Sequence, residues 1–183
     1  MIIETQRLIL RKYTVDDAAA FLEFMSDEET NTFLPWFPLK TIDEAKKFIE
    51  ERFMSPYRYA VCLKSDNKPI GYICLSDNES KDFGYCLKKD YWNQGIITEA
   101  SAAVIEKIKN AGYPFITATH DVNNPRSGEV MKKLGMTYKY SYIEQWQPKN
   151  IPVTFRMYQL NFTADENYTY MEYWDIYENH FVE

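Results

Sequence analysis

One stretch of nine residues decides the fold: Trp92-Asn93-Gln94-Gly95-Ile96-Ile97-Thr98-Glu99-Ala100. A strand-like run, residues 83–88, precedes it, and a helical run, residues 98–109, follows it. The first turn of a helix carries unpaired backbone N–H groups and the positive end of the helix dipole. A glycine without a side chain lets a phosphate approach these donors closely. The stretch therefore predicts a pyrophosphate site, although strand–glycine–helix turns also occur for packing reasons alone.

Composition narrows the class of protein. A chain of 183 residues fits one domain with a sizeable core. Aromatic residues are abundant, with 15 Tyr, 11 Phe and 4 Trp. The net charge of −6 argues against a nucleic-acid partner, because phosphate-rich partners select basic surfaces. The same charge suits a cationic acceptor such as an amine, and it equally suits plain solubility.

Cysteine and histidine usage excludes two kinds of site. The three cysteines, Cys62, Cys74 and Cys86, each lie in an apolar, strand-like run. They predict buried thiols in a reducing compartment, and hence a cytoplasmic protein, rather than a disulfide framework or a metal site. His120 and His180 are the only histidines, so we expect no histidine-rich metal centre. We also expect no membrane partner, because no apolar stretch is long enough to span a bilayer and no signal-peptide core is present.

Strands and helices alternate along the chain. Periodicity predicts strands over residues 7–13, 59–64, 70–76, 83–88, 115–119, 136–146 and 153–162. A first helix is capped by Asp16 or Asp17 and ends near Met25, and a second begins with a capping box of Thr41 and Glu44. The stretch 31–39, rich in proline and aromatic residues, predicts a loop. Two further helices are expected over residues 98–109 and 125–134.

An acidic, aromatic tail, residues 163–183, follows a domain of residues 1–162. Five aromatic side chains recur in the tail at helical spacing: Tyr170, Tyr173, Trp174, Tyr177 and Phe181. This spacing predicts a helix that packs on the domain or on a second subunit, which leaves a homodimer open.

A second polar segment follows the strand at 115–119: His120-Asp121-Val122-Asn123-Asn124-Pro125-Arg126-Ser127. Asn124 is placed to cap the next helix while its amide meets a ligand, and Ser127 lies one turn further on. If two neighbouring parallel strands each lead into a helix, both helix starts open on one crevice. The Gly95 turn and the Asn124–Ser127 turn would then line opposite walls of a cleft. Two ordinary helix starts are the alternative.

The order and residues of these segments resemble the GNAT N-acetyltransferase superfamily, specifically its ribosomal-protein N-terminal acetyltransferase-like (RimJ/RimL-like) branch. The resemblance covers about residues 4–160. It rests on three motifs: Glu4-Thr5-Gln6-Arg7-Leu8-Ile9-Leu10-Arg11, Phe83-Gly84-Tyr85 with Tyr91-Trp92-Asn93-Gln94-Gly95-Ile96-Ile97-Thr98-Glu99-Ala100, and Asn124-Pro125-Arg126-Ser127 with Lys133-Leu134-Gly135-Met136. Together they are specific for fold and cofactor but not for the acceptor.

The resemblance implies an α/β (α+β) fold with a mixed, mostly antiparallel sheet, a splayed parallel pair of strands beginning at Phe83 and Phe115, and flanking helices. It implies acetyl-CoA as co-substrate and no metal. The pantetheine arm would pair with backbone at Cys86 and Leu87. The pyrophosphate would meet the backbone N–H groups of Gln94, Gly95, Ile96, Ile97 and Thr98, and Asn124 and Ser127 would also bind the cofactor.

Three positions depart from the family pattern. Asn93 replaces the first glycine of the loop, and the branched Ile97 replaces a small residue beside the pyrophosphate. Met131 occupies the position where many GNAT enzymes carry a tyrosine as general acid. Ile97 and the absent tyrosine keep open an alternative function, an acyl-CoA-binding or sensing module with little catalytic activity.

Direct acetyl transfer to an amine needs a base, because an ammonium cannot attack until it loses a proton. Asp82, His120 and Glu144 are the candidate bases, and Ser127 is the candidate acid for the leaving thiolate. A structural role is the alternative for His120, at the end of its strand, and helix capping is the alternative for Ser127. Backbone N–H near Leu87 would polarise the thioester carbonyl, by resemblance.

The acceptor is expected to be a protein N-terminus or a small-molecule amine. Four aromatic residues are candidates for its pocket, although core packing explains each of them equally: Phe33, Trp36, Tyr142 and Trp146. The fold and the cofactor motif do not encode which amine is used.

Overall fold

Two sheets carry the fold of the computed structural model, which describes residues 2–183. The chain separates into two units, each described by itself below. Unit 1 comprises the chain up to Leu75 together with Tyr85–Ile105, and unit 2 comprises Ser76–Gly84 together with Glu106–Glu183. The predicted mixed α/β fold with mostly antiparallel sheets and flanking helices is confirmed.

Unit 1 is built on a sheet of strand order β1-β2-β3-β4-β5, in which the pairs from β1 to β4 are antiparallel. Its strands and helices, in chain order, are β1 (Ile3–Glu4), β2 (Leu8–Arg11), α1 (Ala18–Met25), α2 (Glu28–Asn31), α3 (Ile42–Arg52), β3 (Arg58–Leu63), β4 (Pro69–Leu75), β5 (Phe83–Leu87) and α4 (Ile96–Asn110). Strand β5 begins in unit 2, and helix α4 ends there.

An aromatic core lies under this sheet. The rings of Tyr13, Phe21 and Phe53 pack edge to face, with centroids 5.1–5.5 Å apart. Helices α1 and α3 supply many of the apolar side chains around them. Gly71 on β4 admits no side chain, because a Cβ atom there would lie 2.3 Å from the carbonyl oxygen of Cys86 on β5. The absence of a side chain at Gly71 therefore allows β5 to lie close to β4.

Unit 2 is built on a sheet of strand order β6-β8-β7-β9, and all of its recorded pairs are antiparallel. Its further elements are β6 (Phe115–Asp121), α5 (Pro125–Lys133), β7 (Thr137–Trp146), β8 (Ile151–Asn161), α6 (Glu172–Ile176) and β9 (His180–Phe181). One parallel bridge, between Asp82 and Thr117, links the residue before β5 to β6. The strands β5 and β6 themselves belong to different sheets.

The tail departs from the long helix that its aromatic spacing predicts. Only Glu172–Ile176 is helical, and β9 then pairs with β7, Phe181 opposite Ser141 and His180 opposite Tyr142. Three of the tail's aromatic side chains still pack on the sheet: Tyr173, Trp174 and Tyr177 contact the apolar side chains of β7 and β8. A domain boundary between residues 162 and 163 stays a prediction.

Several element ends differ from expectation. Helix α4 begins at Ile96 rather than at residue 98. The capping box before α1 joins Thr14 to Asp17 and opens a 3₁₀ turn, Val15–Asp17. Helix α2 ends at Asn31, the first residue of the predicted loop. The capping box of Thr41 and Glu44 before α3 is confirmed.

None of the helices within residues 2–183 combines the length and the apolar character that a bilayer-spanning segment needs.

Candidate functional site

The Gly95 turn lies in unit 1, at the start of α4. Gly95 has a φ of +71°, in the left-handed region that glycine adopts without steric cost. It is exposed, and the nearest atom to a Cβ built there is Nη2 of Arg7, at 3.7 Å. The first N–H groups of α4 have no partner within the helix. The turn therefore offers open backbone donors with a guanidinium beside them, which suits a phosphate.

An ion pair that sequence reasoning missed holds this turn. The Arg7 Nη1 donates to the carbonyl of Gln94 at 2.9 Å, and its Nε donates to Glu99 Oε2 at 2.7 Å. The other oxygen of Glu99 accepts from Thr5 Oγ1 at 2.6 Å and from the Arg7 backbone N–H at 3.0 Å. Although partial burial raises the pKa of Glu99, these hydrogen bonds lower it overall. Arg7 and Glu99 are 92 residues apart, so no local spacing connects them.

The backbone predicted for pantetheine lies at the end of β5, also in unit 1. Cys86 and Leu87 are buried, and burial raises the pKa of the Cys86 thiol. The indole Nε1 of Trp92 donates to the Leu87 carbonyl at 2.7 Å. Of the other predicted cofactor residues here, Ile96 is buried, Ile97 and Thr98 are half-buried, and Gln94 is exposed.

Two of the three candidate bases, Asp82 and Glu144, lie close enough in unit 2 to interact electrostatically. Burial raises the pKa of Asp82 to about 7, with a further contribution from the charge of Glu144. Burial also raises the pKa of Glu144, which a hydrogen bond from the Tyr177 side chain partly offsets. Asp82 is partly exposed as a residue, but its Oδ1 is enclosed and has no hydrogen-bond partner among residues 2–183. The arrangement supplies a carboxylate that can exchange a proton near neutral pH.

Three tyrosine rings stack together in unit 2. Tyr142 on β7 stacks on Tyr173, with ring centroids 5.1 Å apart, and on Tyr177, with centroids 4.8 Å apart. Tyr142 is 3 % exposed and packs against the side chains of the tail. Phe155 on β8 packs against Tyr142 and against Trp146, at 5.6 and 5.2 Å.

The third candidate base, His120, faces helix α5 instead. Its Nδ1 lies 2.8 Å from the Asp121 carbonyl, which fixes the proton on Nδ1. Its Nε2 is enclosed without a partner among residues 2–183, and Gly128 packs so closely that a Cβ there would lie 2.7 Å from it. Burial lowers the pKa of His120 and keeps the ring neutral. These contacts support a structural role.

The remaining predicted residues are divided between the units. Asn124 precedes α5 without a side-chain capping bond, and its carbonyl accepts from the Ser127 N–H at 3.2 Å. In unit 1, Trp36 packs edge to face on Phe48 at 4.9 Å beneath the guanidinium of Arg52, while Phe33 is half-buried. No group of three or more His, Cys, Asp or Glu side chains within residues 2–183 is arranged to hold a metal ion.

Comparison with known proteins gives three kinds of match. A family model described as an acetyltransferase (GNAT) domain matches residues 7–137. The uncharacterized N-acetyltransferase YnaD of Bacillus subtilis (strain 168) is 29% identical over 141 residues, which cover 74% of this chain and 82% of that protein.

Solved structures share the fold. An acetyltransferase (GNAT family) from Bacillus anthracis superposes with a TM-score of 0.79 at 23% identity, covering 88% of this chain and 98% of the other. RimL, a ribosomal L7/L12 alpha-N-protein acetyltransferase in complex with coenzyme A, superposes with a TM-score of 0.75 at 18% identity, covering 90% of this chain and 100% of the other.

Proposed function

This chain belongs to the GNAT acetyltransferase family, and we propose that it transfers the acetyl group of acetyl-CoA to a primary amine, either of a small molecule or of a protein N-terminus. One observation carries the proposal: the Oδ1 of Asp82 is enclosed without a hydrogen-bond partner among residues 2–183, and burial, with a smaller contribution from the charge of Glu144, raises the pKa of this carboxyl group to about 7. A carboxylate that titrates there accepts a proton from an ammonium more readily than an ordinary aspartate does. The coenzyme A complex of RimL, a fold relative, supports the choice of co-substrate.

Each residue has one task in this proposal. Acetyl-CoA supplies the reactive thioester when it is bound. Glu144 attracts the cationic acceptor, and Asp82 removes the proton that prevents the amine from attacking. Ser127 is the proposed acid for the leaving thiolate, in place of the tyrosine that Met131 replaces. If Ser127 only caps α5, Ser127→Ala leaves the rate at saturating acetyl-CoA unchanged.

The phosphate end of the co-substrate is assigned to the Gly95 turn, and Asn124 and Ser127 stay candidates for binding other parts of the cofactor. Gly95→Asp should lower acetyl-CoA affinity at least about tenfold, because it adds bulk and negative charge beside the phosphates and removes charge-assisted hydrogen bonds worth about 1.5–3 kcal/mol each. Isothermal titration calorimetry measures the affinity directly.

The matched control for this variant is Gly112→Asp. Gly112 also has a positive φ, of +86°, next to α4, and nothing lies within 4 Å of a Cβ built there. Both variants carry the same backbone strain and the same charge, so thermal melting should show similar losses of stability. Equal acetyl-CoA affinities for the two folded variants would remove the Gly95 turn as the phosphate site.

Thiol release from acetyl-CoA tests the activity itself. We would mix the protein with acetyl-CoA and a panel of amines that includes a short peptide with a free α-amine and a linear diamine. Release that depends on the amine supports the proposal and ranks the acceptors. Tight acetyl-CoA binding without release from any amine would favour the binding or sensing module instead.

Three further expectations belong to the proposal. The cysteines are all free thiols, which supports a cytoplasmic location. A homodimer is also proposed, and the exposed apolar side chains of the tail, Ile176, Phe181 and Val182, support it. Acceptor contacts are proposed at Phe33, Trp36, Tyr142 and Trp146.

A further inference from the structure

We propose that Arg7 is a positioning residue for the co-substrate, because it holds the Gly95 turn in the conformation that receives the pyrophosphate of acetyl-CoA. This inference rests on the proposed function, which assigns the phosphate end to this turn, and it adds the residue that keeps the turn in shape. All of the groups involved lie in unit 1.

The backbone of the turn needs support from outside. Asn93 has a φ of +59° and Gly95 has a φ of +71°, so both lie in the left-handed region. Glycine adopts this region without steric cost, whereas asparagine adopts it at a cost, although it tolerates it better than most residues. Gln94 lies between the two. The path of the turn therefore depends on the contacts that hold Gln94.

Arg7 holds Gln94 through its backbone. The Nη1 of Arg7 donates to the Gln94 carbonyl at 2.9 Å, while the Gln94 side chain donates from Nε2 to the Asp90 carbonyl at 2.9 Å. The peptide bond that carries the Gln94 carbonyl also carries the N–H of Gly95, and a trans peptide directs these two groups in opposite directions. By fixing the carbonyl, Arg7 therefore fixes the direction of the Gly95 N–H, one of the donors assigned to the pyrophosphate.

The guanidinium is itself held in place by Glu99. Its Nε donates to Glu99 Oε2 at 2.7 Å, and the other carboxylate oxygen accepts from Thr5 Oγ1 at 2.6 Å and from the Arg7 backbone N–H at 3.0 Å. Glu99 lies in the first turn of α4. One side chain thus connects the start of the helix to the turn before it, and it keeps their backbone donors in a fixed relation.

The ion pair also removes an electrostatic obstacle. The Glu99 carboxylate interacts favourably with the helix dipole, but an unpaired carboxylate close to the turn would repel phosphates. Arg7 neutralises it at 2.7 Å. The Nη2 of Arg7 takes no part in these bonds and lies 3.7 Å from the position of a Cβ on Gly95. Positive charge and a donor therefore stay beside the exposed turn.

The test is Arg7→Lys, which keeps the positive charge. A single ammonium cannot hold the Gln94 carbonyl and Glu99 with the geometry of a planar guanidinium. We expect the Kd for acetyl-CoA, measured by isothermal titration calorimetry, to rise about tenfold, the size expected for the loss of one charge-assisted hydrogen bond.

The matched control is Arg11→Lys. Arg11 lies on β2 and is paired with Asp17 through two hydrogen bonds of 2.8 Å. The same substitution therefore also breaks a two-bond contact in unit 1, but away from the turn. Thermal melting should show a loss of stability in both variants, and only Arg7→Lys should bind acetyl-CoA more weakly.

Acetylpantetheine separates positioning of the turn from general damage, because it carries the thioester but no phosphate. In the thiol-release assay, with the better of the peptide and diamine acceptors, Arg7→Lys should lower kcat/KM for acetyl-CoA about tenfold and leave kcat/KM for acetylpantetheine at the wild-type value. Equal losses with both co-substrates, or an unchanged acetyl-CoA affinity in folded Arg7→Lys, would overturn the inference and leave the proposed function intact.

Failure of the proposed function has a different signature. A wild-type protein that binds acetyl-CoA but releases thiol with no amine would overturn the proposed transfer, while the calorimetric comparison of Arg7→Lys with Arg11→Lys would still decide the role of Arg7. A wild-type protein that does not bind acetyl-CoA would overturn both.

Discussion

At the scale of single residues, the acid–base chemistry depends on how far Asp82 is removed from water. An exposed aspartate is almost always ionised at neutral pH and is a weak base. Enclosure of one carboxylate oxygen and the nearby charge of Glu144 both disfavour the ionised form of Asp82. The same two causes that make it a better base also make the folded protein less stable when it is charged.

Asp82→Asn should therefore lose activity and gain stability. The rate constant kcat should fall by about 10²–10⁴, the usual contribution of a general base. Because the pKa is about 7 in the folded protein and 3.8 in the reference state, the folded state binds more protons between these values. Wild-type stability should then fall as the pH rises through this window and stay level above it. The Asp82→Asn variant should not show this loss of stability with rising pH.

Thermal melts at about pH 4 and about pH 8 check the sign of this effect. The variant should melt at the same temperature as the wild type at the lower pH and several degrees higher at the upper one. The exposed Asp16 provides the control, since Asp16→Asn makes the same chemical change away from the carboxyl pair. A variant that melts lower than the wild type at the upper pH would contradict the assigned pKa.

At the scale of elements, the position of α5 is set by a glycine. Gly128 lies against the His120 ring on β6, and a methyl group there would be 2.7 Å from Nε2 and 3.0 Å from Cε1. Gly128→Ala improves helix propensity by about 1 kcal/mol but forces the helix and strand apart. The packing effect should win, with a net loss of about 1–3 kcal/mol in the free energy of unfolding.

Urea denaturation of two variants tests this packing. In a His120→Ala background the ring is gone, so Gly128→Ala should become neutral or stabilising there. An equal cost in both backgrounds would mean that the glycine is required for its backbone conformation instead. The background variant alone also reports on His120, because a structural residue affects stability more than it affects the rate.

Elements with their own local signals were predictable from the sequence. The capping box of Thr41 and Glu44 starts α3, and proline at the first position starts α5, because both signals act within one helical turn. The tail was not predictable in this way. Its tyrosines have helical spacing, yet the backbone leaves the helix after Ile176 to pair β9 with β7, a pairing made over a long sequence separation.

The candidate site shows the same division. The Gly95 turn stands out because one short stretch contains the strand end, the glycine and the helix start. Asp82 and Glu144 could be named as candidates, but the burial of Asp82 and the effect of the Glu144 charge on it depend on the order of strands in a folded sheet. The Arg7–Glu99 ion pair was missed for the same reason.

At the scale of the whole molecule, two elements run through both units. The boundary crosses β5 after Gly84 and crosses α4 after Ile105. Unfolding of either unit therefore also disrupts β5 and α4, which continue into the other unit. We expect one cooperative unfolding transition, as is common for chains of roughly this size.

Hydrogen exchange at increasing urea concentrations, detected by mass spectrometry, shows whether the chain unfolds in one transition. Peptides from β3 report on unit 1, and peptides from β8 report on unit 2. Their midpoints should coincide, and the thiols of Cys62 and Cys86, buried in unit 1, should become reactive at the same urea concentration. Separate midpoints would show that the units are independent folding units.

The stacked pair of Tyr142 and Tyr177 has an optical consequence. Two phenol rings 4.8 Å apart and nearly parallel share their electronic excitations, and Tyr173 adds a third chromophore to the set. Such coupling gives a chiral absorption band in the near-ultraviolet circular dichroism spectrum. This band therefore reports, without an added dye, whether the tail is packed on β7. Cleavage or displacement of the tail should remove this band while the far-ultraviolet spectrum stays nearly constant.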